Sequence, residues 1–389
     1  MIMIMLPSLI VTLAIVPFIS ITACHPASHS DAEIQAELHL RHIVIQRSKQ
    51  TLAKCSNSAA ARAVGEEAIV RRAATAHTLR QQRGLQNDNI LARRDKDSLL
   101  KWSSLSHSSP NQFSLSTDPS EIFSSNTTCA LVPQTAIGPY YVSGELLRTN
   151  LTDSQPGIPI HLDMQFISTS NCLPVPESSP LLVDIWHCNS AGVYSGVSAP
   201  GQGGISSTHG RGVQQTDSDG VVQFGTLFPG HYAGRATHIH LMATSEVTLL
   251  PNNTFTGGKA RHIGQLYFDQ ELVDEVESLS PYRENTQALV RNEDDGLAAV
   301  QATREYDPFM NYVFLGDKLE DGLLMWITIG IDLEADYSGR VFVAETFTGR
   351  GGDEEGTRTV DGVVSTSSSA AAMGRFGAMT MGWGWRLGL

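Results

Sequence analysis

Two histidines separated by a single residue, His238 and His240, are the side chains of this sequence best suited to bind a metal ion. Alternate side chains of a β-strand point to the same face, so the two imidazoles would lie side by side. Such a pair is a weak signal alone, because many surface strands carry one. Here Tyr232 and Arg235 precede the pair, and an earlier Gly-x-Tyr sequence ends at Tyr194. These neighbours strengthen the prediction of a metal site.

The chain around this pair follows the two-residue period of β-strands. Apolar side chains occupy every second position in the runs 158–166 and 181–185, and shorter runs follow at 221–226 and 236–243. Pro-Gly, Asp-Gly and Gly-Gly turns separate the runs, and only residues 269–278 have a helical pattern. The sequence therefore predicts a mainly β fold with an antiparallel β-sandwich core, an N-terminal helical segment and a disordered C-terminal tail. Without βα alternation or a GxGxxG motif, a dinucleotide-binding fold is disfavoured.

The predicted organisation has five parts. They are a signal peptide at 1–23, a helical leader at 24–97, a linker at 98–128, a β-sandwich domain at 129–348 and a low-complexity tail at 349–389. The apolar residues 2–21 lack a preceding Lys or Arg and approach the length of a membrane anchor, which is the alternative. Two prolines and several polar residues favour a peptide that is cleaved near Ala23. We therefore expect secretion to the extracellular space and no stable membrane association after the leader is removed.

The helical leader is predicted to form two amphipathic helices that Gly65 separates. It is interpreted as a pro-segment, which would be processed at Arg71-Arg72 or at Arg93-Arg94, or as a homodimerisation element. The alternative is that these basic pairs lie on solvated helix faces. The sequence does not decide whether cleavage occurs at Arg94.

Charge and cysteine content constrain the partners and the compartment. The net charge is −13, and the predicted β-sandwich domain carries the acidic excess, which argues against nucleic acid as a partner. An odd number of cysteines without metal-knuckle spacing predicts one or two structural disulfides in an oxidising compartment. Their pairing is left open among Cys24, Cys55, Cys129, Cys172 and Cys188. Three acceptor triplets, at Asn126, Asn150 and Asn252, predict a glycoprotein.

The sequence resembles the intradiol ring-cleavage dioxygenases, which are enzymes like catechol or protocatechuate dioxygenase. The resemblance is in particular to the secreted fungal branch of this family. The resemblance extends over roughly residues 129–345. It consists of ordered multi-residue motifs, which are Gly138-Pro139-Tyr140-Tyr141-Val142, Asp184 to Asn189, Gly192 to Gly196, Arg211 to Gln214 with Thr216-Asp217, Pro229 to His240, and Gly264-Gln265-Leu266-Tyr267-Phe268. One departure is Thr208-His209-Gly210, which stands where the family has bulky residues.

This resemblance implies one non-haem Fe(III) ion per chain, held by Tyr194, Tyr232, His238 and His240. By analogy Tyr232 and His240 are axial and the other two are equatorial. A hard trivalent cation favours the phenolate form of tyrosine, whose reference pKa is about 10. Two anionic oxygen donors stabilise ferric over ferrous iron, and tyrosine is an uncommon zinc ligand.

The resemblance further implies oxidative cleavage of a small aromatic diol by O2, between its two hydroxyl-bearing carbons, to a muconic acid. Tyr232 would accept a substrate proton and Arg235 would stabilise charge on the ring. Gln265 corresponds to the family's polar residue beside the ligands. Tyr140 and Tyr141 are candidates for substrate binding, with core packing as the alternative.

Two alternatives to this activity remain. One is a zinc or copper metalloenzyme on the same strand, and the other is a secreted β-sandwich binding module without catalysis. His187, His209 and His231 are predicted to be non-ligands. The sequence leaves the preferred catechol, the oligomeric state and the glycan occupancy open.

Overall fold

The computed structural model describes residues 58–85, 89–90, 113–114, 123, 137–301, 307–347, 356–360 and 363–367. The predicted signal peptide, most of the linker and the pair Arg93-Arg94 lie outside the described residues. Within these ranges, helices of the length and apolarity that a membrane crossing requires are absent.

Helices are few in the described ranges. Three α-helices are present, α1 (Ala59–Gln82), α2 (Gln270–Glu277) and α3 (Gly296–Gln301), with short 3-10 turns at Tyr282–Glu284, Asn292–Asp294, Leu319–Asp321 and Ser338–Arg340. The helix predicted at 269–278 is α2.

Strands dominate the fold. They are β1 (Asn89–Ile90), β2 (Phe113–Ser114), β3 (Val142–Ser143), β4 (Pro159–Ser168), β5 (Leu182–Trp186), β6 (Arg211–Gln215), β7 (Val221–Leu227), β8 (His238–Ser245), β9 (Thr248–Leu249), β10 (Phe255–Thr256), β11 (Lys259–Tyr267), β12 (Asn311–Phe314), β13 (Leu323–Ile331), β14 (Glu345–Thr346), β15 (Gly356–Val360) and β16 (Val363–Ser367).

Two four-stranded sheets form the sandwich, one in the order β11-β8-β5-β6 and the other in the order β12-β13-β4-β7. Their facing side chains make one apolar core, to which β4 contributes Leu162 and β8 contributes Leu241. The prediction of a mainly β sandwich is confirmed. The antiparallel prediction holds throughout the first sheet but is wrong at one place in the second, where β13 runs parallel to β4. A long connection separates these strands in the chain, so no tight hairpin forces them to be antiparallel.

The candidate metal site lies on the outer face of the first sheet. Along β8, Ile239 points into the core, whereas His238 and His240 point to the opposite face. A second apolar cluster covers that face, and it includes Tyr140, which precedes β3, and Trp186 of β5. The candidate site thus lies between the outer face of the first sheet and the segments that pack against this face.

Helix α1 packs on the outer face of the second sheet. Its Ala76 lies in a cluster with Trp326 of β13, and Arg71 and Arg72 both contact Asp163 of β4. The prediction that Gly65 separates two helices is wrong, because α1 runs through Gly65 without a break. No atom lies within 4 Å of a Cβ built at that glycine, and packing of the helix on the sheet outweighs glycine's weak helix propensity.

The burial of Arg72 bears on the predicted processing sites. Its side chain is 1% exposed, so the pair Arg71-Arg72 is not presented to a protease in the folded protein. In the tail predicted to be disordered, β15 and β16 pair in antiparallel fashion. The prediction of disorder is therefore wrong for those ten positions, six of which are Thr or Val, residues that favour strands.

Candidate metal centre

The two histidines of β8 bring their distal nitrogens together. The Nε2 atoms of His238 and His240 are 3.1 Å apart, and neighbouring strands hold β8 on both sides. The Nδ1 atom of His238 lies 2.6 Å from the backbone oxygen of Ala236. A carbonyl can only accept a hydrogen bond, so Nδ1 carries the hydrogen and the lone pair of Nε2 faces the site. This is the tautomer that a metal ligand requires.

Two tyrosines complete the cluster. Tyr232 lies in the turn before β8, and its hydroxyl is 3.4 Å from His238 Nε2. Tyr194 follows β5, and its ring packs edge-on against that of Tyr232 at a centroid distance of 5.5 Å. The Tyr194 hydroxyl is buried and finds no hydrogen-bond partner among the residues that the structure describes. An unpartnered buried hydroxyl is costly, which indicates that a ligand completes the site.

The electrostatics of the two phenols fit a cation. Burial raises the pKa of Tyr194 well above its usual range, and burial likewise raises the pKa of Tyr232 although Arg235 opposes it. Neither phenol would ionise without a strong positive charge nearby. In the described part of the chain, no three His, Cys, Asp or Glu side chains group together as a metal site. The candidate centre therefore depends on its tyrosines, with two oxygen and two nitrogen donors.

The ring of His240 is held from two sides. Trp186 stacks on it with ring centroids 4.9 Å apart and an interplanar angle of 3°. A Cβ at Gly138 would lie 3.0 Å from His240 Cε1, and Gly138 has a left-handed φ of 88°. Only glycine can take this conformation at low cost and also let the backbone pass so close to the imidazole. These contacts explain why a glycine stands at the start of the 138–142 motif.

Arg235 is linked to the cluster through Gln265. Its Nη2 atom donates to Gln265 Oε1 at 2.6 Å and to the Tyr267 hydroxyl at 2.9 Å, and Gln265 Nε2 is 3.4 Å from His240 Nδ1. Burial lowers the pKa of Arg235, but Tyr267, Tyr232 and Asp295 raise it more, so the guanidinium stays charged. Its Nη1 atom is buried and lacks a partner within the described ranges. One charged donor therefore remains for a ligand.

The two candidate substrate-binding tyrosines differ in their surroundings. The ring of Tyr140 packs on Tyr194 at 4.7 Å, next to the proposed ligands. The ring of Tyr141 packs on Trp186 at 5.2 Å instead. The structure thus places Tyr140 in contact with the cluster, whereas Tyr141 contacts the indole of Trp186.

Three other histidines have hydrogen-bond partners elsewhere, His187 and His231 through both ring nitrogens and His209 through Nε2. His187 bonds the backbone oxygen of Cys188 and the hydroxyl of Thr226, both at 2.8 Å, and burial lowers its pKa to about 4. His209 lies 3.2 Å from the Val193 oxygen. His231 bonds a Glu277 oxygen at 2.8 Å and the Gln287 backbone oxygen at 3.0 Å. This arrangement agrees with their interpretation as non-ligands.

Comparisons with known proteins gave structural neighbours only. A scan of protein-family models found no match, and neither did a search of curated proteins. An intradiol ring-cleavage dioxygenase from Tetranychus urticae is 26% identical, with 54% of this chain and 97% of that chain covered and a TM-score of 0.43. The dioxygenase domain of a carbohydrate-binding fusion protein from Streptomyces sp. SirexAA-E is 25% identical, with 52% and 98% covered and a TM-score of 0.34.

A third neighbour is the catechol 1,2-dioxygenase from Acinetobacter sp. ADP1. It is 20% identical, with 60% of this chain and 65% of that chain covered and a TM-score of 0.36. The first and third of these neighbours are intradiol ring-cleavage dioxygenases, the family that the sequence motifs resemble, and the second is a dioxygenase domain. Membership of the secreted fungal branch stays a prediction, and the geometry of the site carries the functional proposal.

Sequence reasoning missed two buried residues that support the cluster. Asp295 forms an ion pair with Arg235 at 2.8 Å, and Arg211 forms one with Glu145 at 3.0 Å. Arg211 also donates to the backbone oxygens of Tyr140 and Ser195, at 2.7 Å and 2.8 Å. The Arg211-Gly212 motif was the available signal for Arg211, whereas nothing in the sequence singled out Asp295.

The departure at 208–210 also has a structural explanation. Gly210 has a φ of 67°, and a Cβ there would lie 2.6 Å from the backbone oxygen of His187. A bulky residue would not fit this backbone. Thr208 contributes its carbonyl oxygen to a contact with Arg148 and its hydroxyl to a hydrogen bond with Asp153.

Proposed function

We propose that this protein is an extracellular intradiol dioxygenase that binds one non-haem Fe(III) ion and uses O2 to cleave catechol-type rings, giving muconic acid products. The observation that carries the proposal is the convergence of Tyr194, Tyr232, His238 and His240 on one buried point, with the charged Arg235 beside it.

The donor set favours ferric iron over zinc. Two phenolates would offset most of the charge of a trivalent ion, and hard oxygen donors suit it. Zinc sites in proteins use cysteine, histidine and carboxylate ligands, which this cluster lacks apart from its two histidines. A binding module without catalysis would have no need for two buried phenols, one of which, Tyr194, has no hydrogen-bond partner among the described residues.

The chain's own residues would orient the substrate and move its protons. When bound, ferric iron would draw both catechol oxygens in as anions and make the aromatic ring reactive toward O2. Tyr232 Oη, held as a phenolate, would accept the proton of one substrate hydroxyl, and a hydroxide from solvent would accept the proton of the other. Arg235 would donate a hydrogen bond from Nη1 to a substrate oxygen, and its positive charge would stabilise negative charge that develops on the ring. Tyr194 and Trp186, which are completely buried, would exclude water from the reaction.

The neighbouring residues suggest roles in substrate binding. Tyr140 packs on Tyr194 and would line the ring-binding pocket, and Tyr141 would support it through Trp186. Gln265 would hold His240 and Arg235 at a constant separation through its amide. The proposed substrate class is a small planar aromatic diol.

Extracellular localisation is part of the proposal. An apolar leader at 2–21 supports it, and so does Cys172, which is disulfide-bonded. Asn150 and Asn252 are exposed, as glycan acceptors must be. Nucleic acid is disfavoured as a partner because the domain is acidic.

Homodimerisation through the leader is proposed on the exposed side of α1. Val70 lies there and is 68% exposed. If α1 forms the interface, Val70→Glu should shift the protein from dimer to monomer in size-exclusion chromatography. An unchanged elution volume would exclude this face as the dimer contact.

The test of the activity is the visible spectrum of the purified protein, with metal analysis of the same sample, before and after anaerobic addition of catechol. We expect a tyrosinate-to-iron charge-transfer band that shifts when catechol binds. Tyr232→Phe should remove most of the colour and the turnover together, whereas Tyr312→Phe, on the other sheet, should retain both. A protein that stays colourless after iron reconstitution, or a Tyr232→Phe variant with full activity, would contradict the proposal.

A further inference from the structure

Asp295 is a buried carboxylate that joins Arg235 to the start of α3. It is 3% exposed, and its Oδ2 atom accepts hydrogen bonds from Arg235 Nε and from the backbone N–H of Ala236, both at 2.8 Å. Its Oδ1 atom accepts from the backbone N–H groups of Leu297 and Ala298, at 2.8 and 3.3 Å. Both carboxylate oxygens are thus fully engaged, and the side chain cannot turn without losing several bonds.

These contacts leave the Arg235 guanidinium a single orientation. Asp295 holds Nε on one side, and Gln265 and Tyr267 hold Nη2 on the other. A planar guanidinium that is bonded at two of its three nitrogens has no freedom to rotate. The third nitrogen, Nη1, is buried and has no partner among the described residues. The network therefore presents one donor in a fixed direction.

We infer that Asp295 is a positioning residue that aims Arg235 Nη1 at the bound aromatic diol. The inference rests on the proposed function, because it assigns the diol as the ligand that Nη1 meets. Asp295 contacts Arg235 directly and acts on the substrate only through it. Its backbone bonds couple the arginine to Ala236, two residues before the first histidine of β8. The same carboxylate thus sets the arginine and the turn that leads into the metal-binding strand.

The first experiment is a double-mutant cycle on the iron-loaded full-length protein. Asp295→Asn keeps an acceptor oxygen but removes the charge, so the guanidinium can shift away from its productive position. Since a displacement of about 1 Å can cost about 100-fold in rate, we expect kcat to fall about 10- to 100-fold, with KM changed less than about threefold. Adding Asp295→Asn to an Arg235→Gln variant should lower kcat by less than about twofold, because the group it positions is gone.

Two further readouts separate positioning from a loss of folding. Iron content and the charge-transfer band of Asp295→Asn should match the wild type, and so should the band shift with anaerobic catechol. The same cycle can be measured without metal on the wild type, the two single variants and the double variant. Their losses in melting temperature should also be non-additive, since the ion pair exists without iron. Asp307→Asn, at another buried carboxylate, is the matched control and should keep wild-type kcat.

The outcomes distinguish this inference from the proposed function. A wild-type protein that binds iron but cleaves no catechol would contradict the proposed function, while the melting cycle would still report the Asp295–Arg235 coupling. If the wild type cleaves catechol but the two substitutions lower kcat by independent factors that multiply in the double variant, the positioning role would be overturned while the proposed function would stand. If Asp295→Asn does not fold, Asp295→Glu keeps the charge but lengthens the side chain, and wild-type kcat in that variant would overturn the inference.

Discussion

The indole of Trp186 lies flat on the imidazole of His240, with 4.9 Å between the ring centroids. The two residues are direct partners in the register of β5 and β8, so the backbone of the first sheet sets the stacking. Trp186 covers one face of the imidazole and Gly138 lies close to its Cε1 atom, so both contacts restrict rotation of the ring. The register of the first sheet therefore sets the orientation of His240.

Replacement of this indole should weaken metal binding more than it weakens the fold. Trp186→Phe removes part of the stacking surface and leaves a small cavity, which costs about 1–3 kcal/mol in the free energy of unfolding. Because groups that orient a ligand affect metal affinity, we expect iron to be lost to a chelator about tenfold faster. Trp326→Phe is the matched control, since Trp326 is equally buried but lies on the other sheet. Equal iron loss from both variants would show that the stacking has no special role.

A Cβ at position 138 should disturb His240 directly. Gly138→Ala combines a left-handed φ of 88° with a contact 3.0 Å from His240 Cε1. The backbone strain alone costs about 1–2 kcal/mol. Gly257→Ala carries a similar strain, at a φ of 70°, but has open space around the new methyl group. We expect both variants to lose stability in thermal unfolding, whereas only Gly138→Ala should lose iron. Full iron content in Gly138→Ala would contradict the inferred contact.

Sequence periodicity was sufficient for four of the strands and for the grouping of the histidines, but it did not reveal β11 or β13. The two-residue period identified β4, β5 and β8, and it placed His238 and His240 on one face. Periodicity carries no information about which distant segment pairs with which. The parallel contact of β13 with β4 and the ion pair of Asp295 with Arg235 were therefore not predictable from it.

The basic pair in α1 shows a second limit of prediction from the sequence. Arg71 and Arg72 have the composition of an exposed processing site, and only the position of Asp163 on β4 reveals that they are held against the sheet. The roles of the metal-site residues remain predictions that the spectrum and the Tyr232 variant would test.

The free thiol of Cys188 should be inert in the folded protein. It is 1% exposed, its Sγ donates to the Gly230 oxygen at 3.2 Å, and burial raises its pKa to about 12. Since the thiolate is the reactive form, iodoacetamide should not label Cys188 at neutral pH until the protein unfolds. Peptide mass spectrometry with and without denaturant measures this. Rapid labelling of the native protein would mean that the segment between β5 and Tyr194 opens readily.

The contact between α1 and the sheet should make stability depend on acid pH. Asp163 accepts hydrogen bonds from Arg71 through both oxygens at 3.0 Å, and also from Arg72 and Gln223. Burial raises the pKa of Asp163, but these partners lower it more, so the folded value lies below the ordinary 3.8. The stabilisation is therefore complete above pH 3.8 and is lost as the pH falls through the lower folded pKa.

Asp163→Asn should remove this contribution. Breaking a buried pair on one side leaves two arginines without their carboxylate, at a cost of about 3–5 kcal/mol near neutral pH. The gap in melting temperature between wild type and variant should be widest above pH 5 and should narrow as the pH falls below 3.8, where wild-type Asp163 also becomes neutral. Glu246→Gln, which removes the ion pairs of a half-exposed carboxylate with Lys259 and Arg261, serves as the control and should change the melting temperature little at any pH. A gap that is constant with pH would mean that Asp163 is already protonated in the native protein, and the ionic attachment of α1 to the second sheet would be excluded.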